Sequence, residues 1–261
     1  MRNYLRENIE RYRRLAGTVT PAKNAEFSSR GFLEEAIPRL RLQRDRPRVL
    51  ELGTGFGPGA IYLAERGFDV YAIDLIPEAI AAARRIASDR GLKVRFKVMD
   101  VTRIPHQGPA YDLIVDSYCL QGIVLDRDRE AVFRAVKARL DPRGYYLVSS
   151  AMYAAARHRA DRQVVDQLTG RVFDCYDDAS LFDRDTDVYY EPYDGKEPVD
   201  GAIRVNGSWY YPFRRYRTAA RLRYEVESYG FRVLIQTGEL GQNLVGVHQP
   251  RGPAYPIPTF C

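Results

Sequence analysis

The stretch that most limits how this chain can fold is Val49-Leu50-Glu51-Leu52-Gly53-Thr54-Gly55-Phe56-Gly57-Pro58-Gly59. A short apolar run passes directly into four glycines within seven residues, and an amphipathic segment follows from Ala60. That order reads as strand, tight turn, helix. A ligand can approach such a turn because no Cβ stands in its way, and the open amides at the start of the next helix can hold its polar end.

The same alternation continues for a hundred residues. Strands are expected at 49–52, 70–73, 94–98, 111–116 and 145–149, with helices at 60–66, 77–90 and 128–140 between them. Pro77 opens the second of these helices and Gly91 closes it. Strands alternating with helices predict an α/β fold with a parallel sheet whose ligands sit at the carboxyl ends of the strands. Residues 3–17 and 22–42 read as two leading helices. From 151 to 217 the rhythm stops: the segment is polar, rich in Tyr and Asp, and carries the turn pairs Asp194-Gly195 and Asn206-Gly207, the second reading as a hairpin tip. A helix at 218–229 with Thr218 as its N-cap follows, then strands at 231–236 and 243–248 joined too closely to be anything but antiparallel. The Pro-rich end, 250–261, reads as a strap or a disordered tail.

Composition removes several classes of function. No run approaches the roughly 18 apolar residues of a membrane span, and the N-terminus lacks the apolar region of a secretion signal. Cys119, Cys175 and Cys261 are scattered, and His106, His158 and His248 stand far apart, so no disulfide framework or metal site is expected. A cytoplasmic location follows from that cysteine usage. The net charge of +6 suggests nucleic acid, but only five of the 40 basic residues are lysines. The arginines are spread out and interleaved with acids, as in Asp126-Arg127-Asp128-Arg129-Glu130, which describes a solvated surface better than a phosphate track.

Carboxylates stand at successive strand ends: Asp74, Asp100 and Asp116. An acid at the tip of the second strand can accept two hydrogen bonds from the vicinal hydroxyls of a ribose, so the ligand contains a nucleoside. A dinucleotide is disfavoured. Counting from Gly53, the sixth position of Gly-x-Gly-x-x-Gly is Pro58, and the closing antiparallel pair replaces a second mononucleotide half.

Val-Leu-Glu-Leu-Gly-Thr-Gly-Phe-Gly, Asp74 in Tyr-Ala-Ile-Asp-Leu, Asp100-Val101 and Asp116-Ser117-Tyr118 together resemble the motifs of class I S-adenosylmethionine-dependent methyltransferases of the small-molecule type. The resemblance covers roughly residues 48–150 and 218–248. It implies a Rossmann-like seven-stranded sheet, parallel except for one closing antiparallel strand, with helices on both faces and an insertion between strand five and the last helix. It also implies S-adenosyl-L-methionine as cofactor and S-adenosyl-L-homocysteine as product. Glu51, Gly53, Thr54, Gly55 and Gly57 would face the methionine part, Asp74 and Leu75 the ribose, Asp100 and Val101 the adenine, and Asp116 and Ser117 the methyl region. Residues 1–47 would form a helical lid or pack on the sheet edge, 151–217 would bind the acceptor, and 249–261 would be a tail.

The acceptor is less constrained. The strand-four tip lacks the prolines of amino-methylating nucleic-acid enzymes, and Cys119 lacks the proline that precedes the nucleophile of cytosine carbon-5 enzymes. Aromatic residues and arginines in the insertion suit a small acceptor with a carboxylate or an aromatic group. Tyr118, Tyr153, Trp209, Tyr211, Arg214 and Arg215 are the candidate acceptor contacts, and Tyr118 and His106 the candidate bases. The expectation is methyl transfer to nitrogen or oxygen by in-line displacement. A nucleic-acid methyltransferase and a non-catalytic cofactor binder remain the alternatives, and a homodimer stays open.

Overall fold

The computed structural model describes residues 5–16, 18, 26–155, 158–195 and 199–249. Its centre is β1 (Arg48–Leu52), buried on both faces and paired in parallel with β2 (Asp69–Asp74) on one side and β4 (Tyr111–Ser117) on the other. α3 (Pro58–Glu65) crosses from β1 to β2, and α4 (Pro77–Asp89) from β2 to β3 (Arg95–Val98). The chain then returns past β1 to β4, and α5 (Asp126–Arg139) carries it to β5 (Leu140–Ser149). After α6 (Ala219–Ser228), β12 (Phe231–Thr237) and β13 (Asn243–His248) close the sheet.

The order is β12-β13-β5-β4-β1-β2-β3, and β13 is antiparallel to both of its neighbours. This is the expected seven-stranded sheet. Strand order reverses between β1 and β4, so their carboxyl ends open a crevice there. Alternate residues of each strand feed two cores. Val49, Leu113 and Leu147 pack with Leu33, Ile61 and Ile80 on one face. Leu50, Ile114 and Val148 pack with Phe133, Val136 and Leu222 on the other.

Among the described residues of the leader two helices are present, and the second covers less of 26–42 than expected. α1 (Arg6–Ala16) lies across α4, where Ile9 joins Ile76 and Ala79 and Arg13 pairs with Glu78 at 3.1 Å. α2 (Arg30–Ala36) gives way to a 3-10 turn, Ile37–Arg39, because Pro38 has no amide hydrogen to continue the helical ladder. Residues 19–25 lie outside the described residues. β5 starts directly after α5, so the expected stop at 141–144 appears as an irregularity within the strand.

The insertion holds more regular structure than its sequence suggests. It forms a second, antiparallel sheet in the order β10-β11-β9-β8-β7-β6. Its strands are β6 (Arg162–Val165), β7 (Val172–Cys175), β8 (Leu181–Asp183), β9 (Val188–Tyr193), β10 (Ile203–Val205) and β11 (Ser208–Arg215). The expected hairpin at Asn206-Gly207 joins β10 to β11, with both residues at positive φ, as a two-residue turn of this hand requires. β11 packs on the 3-10 turn Leu120–Gly122 that follows β4, bringing the second sheet to the edge of the crevice. Among the described residues no helix is long and apolar enough to cross a membrane.

Candidate active site

At Gly53, Gly57 and Gly59 the turn is held by contacts that leave no room for a Cβ. Gly53 has φ +61°, and a Cβ there would come within 2.6 Å of the Cys119 Sγ. The Thr54 amide donates to the Ile73 carbonyl at 2.9 Å, tying the turn to β2. Beneath it, the Glu51 carboxylate accepts from the Thr54 hydroxyl, and a Cβ at Gly59 would collide with its Oε1. Burial pushes the Glu51 carboxyl up to about 7, against hydrogen bonds from Thr54 and the Ala60 amide that favour its charged form.

A cleft runs along the strand ends above this turn. Gly53 forms part of its wall, and Asp74 and Asp100 supply its acidic side. Asp74 accepts from the Gly55 amide at 2.8 Å and from the Ile76 amide at 2.9 Å, one on each oxygen, with the Leu75 amide as a further donor. Burial raises its pKa. Asp100 caps the Val101–Arg103 turn through the Thr102 amide and hydroxyl, at 2.9 and 2.7 Å. Ser117 and Tyr118 line the cleft from the β4 tip. Tyr118 has φ +63°, a costly conformation for a bulky residue and one that recurs at functional sites. Leu5, Ile9 and Tyr12 of the N-terminal segment close one side, and Arg214 of β11 reaches in from the insertion.

Residues 49–144 match the family model described as a methyltransferase domain. A demethylmenaquinone methyltransferase of Thermus thermophilus is 38% identical over 81 residues, which is 30% of this chain and 37% of that protein. Phosphoethanolamine N-methyltransferase 1 of Arabidopsis thaliana is 30% identical over 179 residues, 67% of this chain and 34% of that protein. The chain thus spans little more than a third of the length of these relatives. The CcbJ methyltransferase of Streptomyces caelestis shares the fold, with a TM-score of 0.60 at 16% identity over 87% of this chain and 92% of that one. The chain thus resembles the class I S-adenosylmethionine-dependent methyltransferases in its matched domain, its relatives and its fold.

The expected site residues fall into two groups. Gly53, Asp74, Leu75, Asp100, Val101, Ser117, Tyr118 and Arg214 come together around the cleft. The others are drawn elsewhere by their own partners. Glu51 and Thr54 bond to each other behind the turn. Gly55 lies in the turn with Tyr12 over it, a Cβ there meeting the Tyr12 ring at 3.5 Å, and Gly57 faces Ala83 and Phe96. Asp116 is 1% exposed and accepts from the Cys119 and Leu120 amides at 2.9 and 3.1 Å, so it builds the wall and does not face the ligand. Burial pushes its carboxyl up to about 7, and its Oδ2 has no hydrogen-bond partner among the described residues.

The candidate bases and acceptor contacts divide in the same way. His106 is exposed in the loop after β3. Tyr153 is stacked between Phe182, at 4.9 Å, and His158, at 5.3 Å. Trp209 lies under the Arg204 guanidinium, Tyr211 is buried with its hydroxyl on Glu191, and Arg215 is buried against Asp126 at 2.5 Å. Cleft residues that sequence reasoning missed are Ile76, Gln121, Gly122 and Ile123, and the helix residues Leu5, Ile9 and Tyr12. The three helix residues had a signal, the helical spacing of apolar side chains in 3–17. Gln121 had none beyond its position after the β4 tip.

Proposed function

We propose that this chain is an S-adenosyl-L-methionine-dependent methyltransferase acting on nitrogen or oxygen of a small-molecule acceptor, which enters between the β4 tip and β11. Asp74 carries the reading: it stands at the end of β2 and lines the cleft, and backbone amides fix its carboxylate where it can accept from the hydroxyls of a ribose. The other cofactor contacts fit as well. Gly53 in the cleft wall suits the methionine chain, and Asp100 with Val101 suits the adenine edge. When bound, the cofactor supplies a methyl carbon already activated by a sulfonium, so the protein's task is to hold the acceptor in line.

Tyr118 is the residue best placed for that task. Burial raises its phenol pKa, so its hydroxyl stays protonated and orients the acceptor as a hydrogen-bonding group. Cys119 is no nucleophile. Burial, with Asp116 beside it, pushes its thiol well above the ordinary value, which disfavours cytosine carbon-5 chemistry. In this reading α1 is the lid over the cofactor, and the insertion from 151 to 217 supplies the acceptor wall. The names of the relatives, which refer to demethylmenaquinone and phosphoethanolamine, agree with a small acceptor.

The test is to incubate the protein with methyl-radiolabelled S-adenosylmethionine and a metabolite extract, with bulk RNA in parallel. Label is expected in the small-molecule fraction, with Tyr118→Phe lowering it at least fivefold. Label confined to RNA would contradict the acceptor class, and no transfer to either would leave a binding protein.

A further inference from the structure

Resting on the methyltransferase reading, we propose that the acceptor carries an oxyanion, a carboxylate or a phosphate, gripped by the Arg214 guanidinium at the insertion side of the cleft. The arginines around this junction are otherwise committed. Arg129 and Arg217 hold Glu225, Arg217 and Arg221 hold Asp187, and Arg215 holds Asp126. Arg214 differs. It is half-buried at the cleft, and its side chain has no ion pair or hydrogen bond among the described residues, the guanidinium lying 4.8 Å from the centre of the Phe213 ring. A guanidinium drawn partly out of water with no anion beside it is an unfavourable arrangement that a ligand would relieve.

The strand is built to present this residue. β11 pairs regularly with β9 up to Pro212 opposite Tyr190, then slips so that Arg214, not Phe213, faces Tyr189. One extra residue at Phe213 inverts the alternation beyond it, as bulges beside binding sites do when they re-aim a side chain. Arg214 thereby takes the phase that Phe213 would have held.

Two further donors line the same cleft. Gln121 is 7% exposed, and its Oε1 accepts the Ala151 amide at 2.7 Å, which leaves its NH2 group without a partner among the described residues. The Tyr118 hydroxyl is likewise unpartnered among them. A cation and two neutral donors match a group that only accepts. The planar fork of arginine holds a carboxylate or phosphate through two parallel bonds.

The experiment is calorimetric titration of acetate and of inorganic phosphate into the protein saturated with S-adenosylhomocysteine, in wild type and in Arg214→Gln. At least one anion is expected to bind saturably and to weaken tenfold or more in the variant, while affinity for S-adenosylhomocysteine stays within threefold. The anion that binds better tells carboxylate from phosphate. Absence of saturable binding, or equal binding in both proteins, would overturn the proposal. So would a tenfold loss of S-adenosylhomocysteine affinity in the variant, since the guanidinium would then serve the cofactor's own carboxylate. Failure of wild type to bind S-adenosylhomocysteine would instead overturn the methyltransferase reading on which this one rests.

Discussion

Behind the glycine turn two buried carboxyls, Glu51 and Asp116, have pKa values pushed up to about 7. The native state keeps protons there that the unfolded chain releases from about pH 4 upward. Stability from these groups is therefore full below the ordinary carboxyl range and is lost as pH rises towards 7. Glu51→Gln, which cannot ionise, is expected to melt close to wild type at pH 5 and to be more stable at pH 8, by roughly 2–3 kcal/mol on the linkage arithmetic. Thermal melts at the two pH values check this; a variant less stable at pH 8 would show that the ionised carboxylate is wanted. The strand-tip acids look equivalent in sequence, yet their fates differ. Side chains alternate faces along a strand, and where the last paired residue falls decides which face a tip residue takes. Asp116 is the partner of Leu52 in the β1–β4 register and turns inward, whereas Asp74 lies at the open edge of the turn. No spacing rule could have separated them.

At the scale of elements, Arg129 of α5 fastens the cleft wall to the rest of the fold. It is 1% exposed and donates to both oxygens of Glu225 on α6 at 2.6 Å, and to the Leu120 and Ile123 carbonyls at 2.7 and 2.9 Å. Burial alone would raise the Glu225 carboxyl, but Arg129 and Arg217 outweigh it and hold it down at about 2. Its contribution is present above the ordinary glutamate range and is lost as pH falls towards 2. Arg129→Met leaves that buried carboxylate to Arg217 alone and is expected to cost up to about 3–5 kcal/mol in urea unfolding at pH 7, with a smaller loss at pH 3. An equal loss at both pH values would show that packing, and not the ion pair, is what matters.

The elements of the main sheet were legible because apolar runs, Pro77 and the glycine stops mark them. β6 to β9 were not, since strands of three to six residues leave little periodicity. Their buried acids are also paired with arginines just outside the strands: Asp183 of β8 with Arg171, and Asp174 of β7 with Arg184. A buried acid in a strand looks like a loop residue until its arginine is placed.

For the molecule as a whole, the cleft has three walls of separate origin: the sheet edge, the N-terminal helix and the insertion. Tyr12 sits over Gly55 and its ring lies 5.5 Å from that of Phe56. If α1 is the lid, Tyr12→Ala is expected to speed cofactor release three- to tenfold in stopped-flow displacement while leaving the melting temperature within a few degrees. Unchanged release would make α1 a packing element only. The central claim, that Asp74 holds the ribose of S-adenosylmethionine in this cleft, is tested most directly by calorimetry on wild type and Asp74→Ala. Saturable binding of S-adenosylmethionine, no binding of NAD, and at least tenfold weaker binding in the variant, about 1.4 kcal/mol, is the predicted result. NAD binding without S-adenosylmethionine binding, or equal affinity in the two proteins, would contradict it.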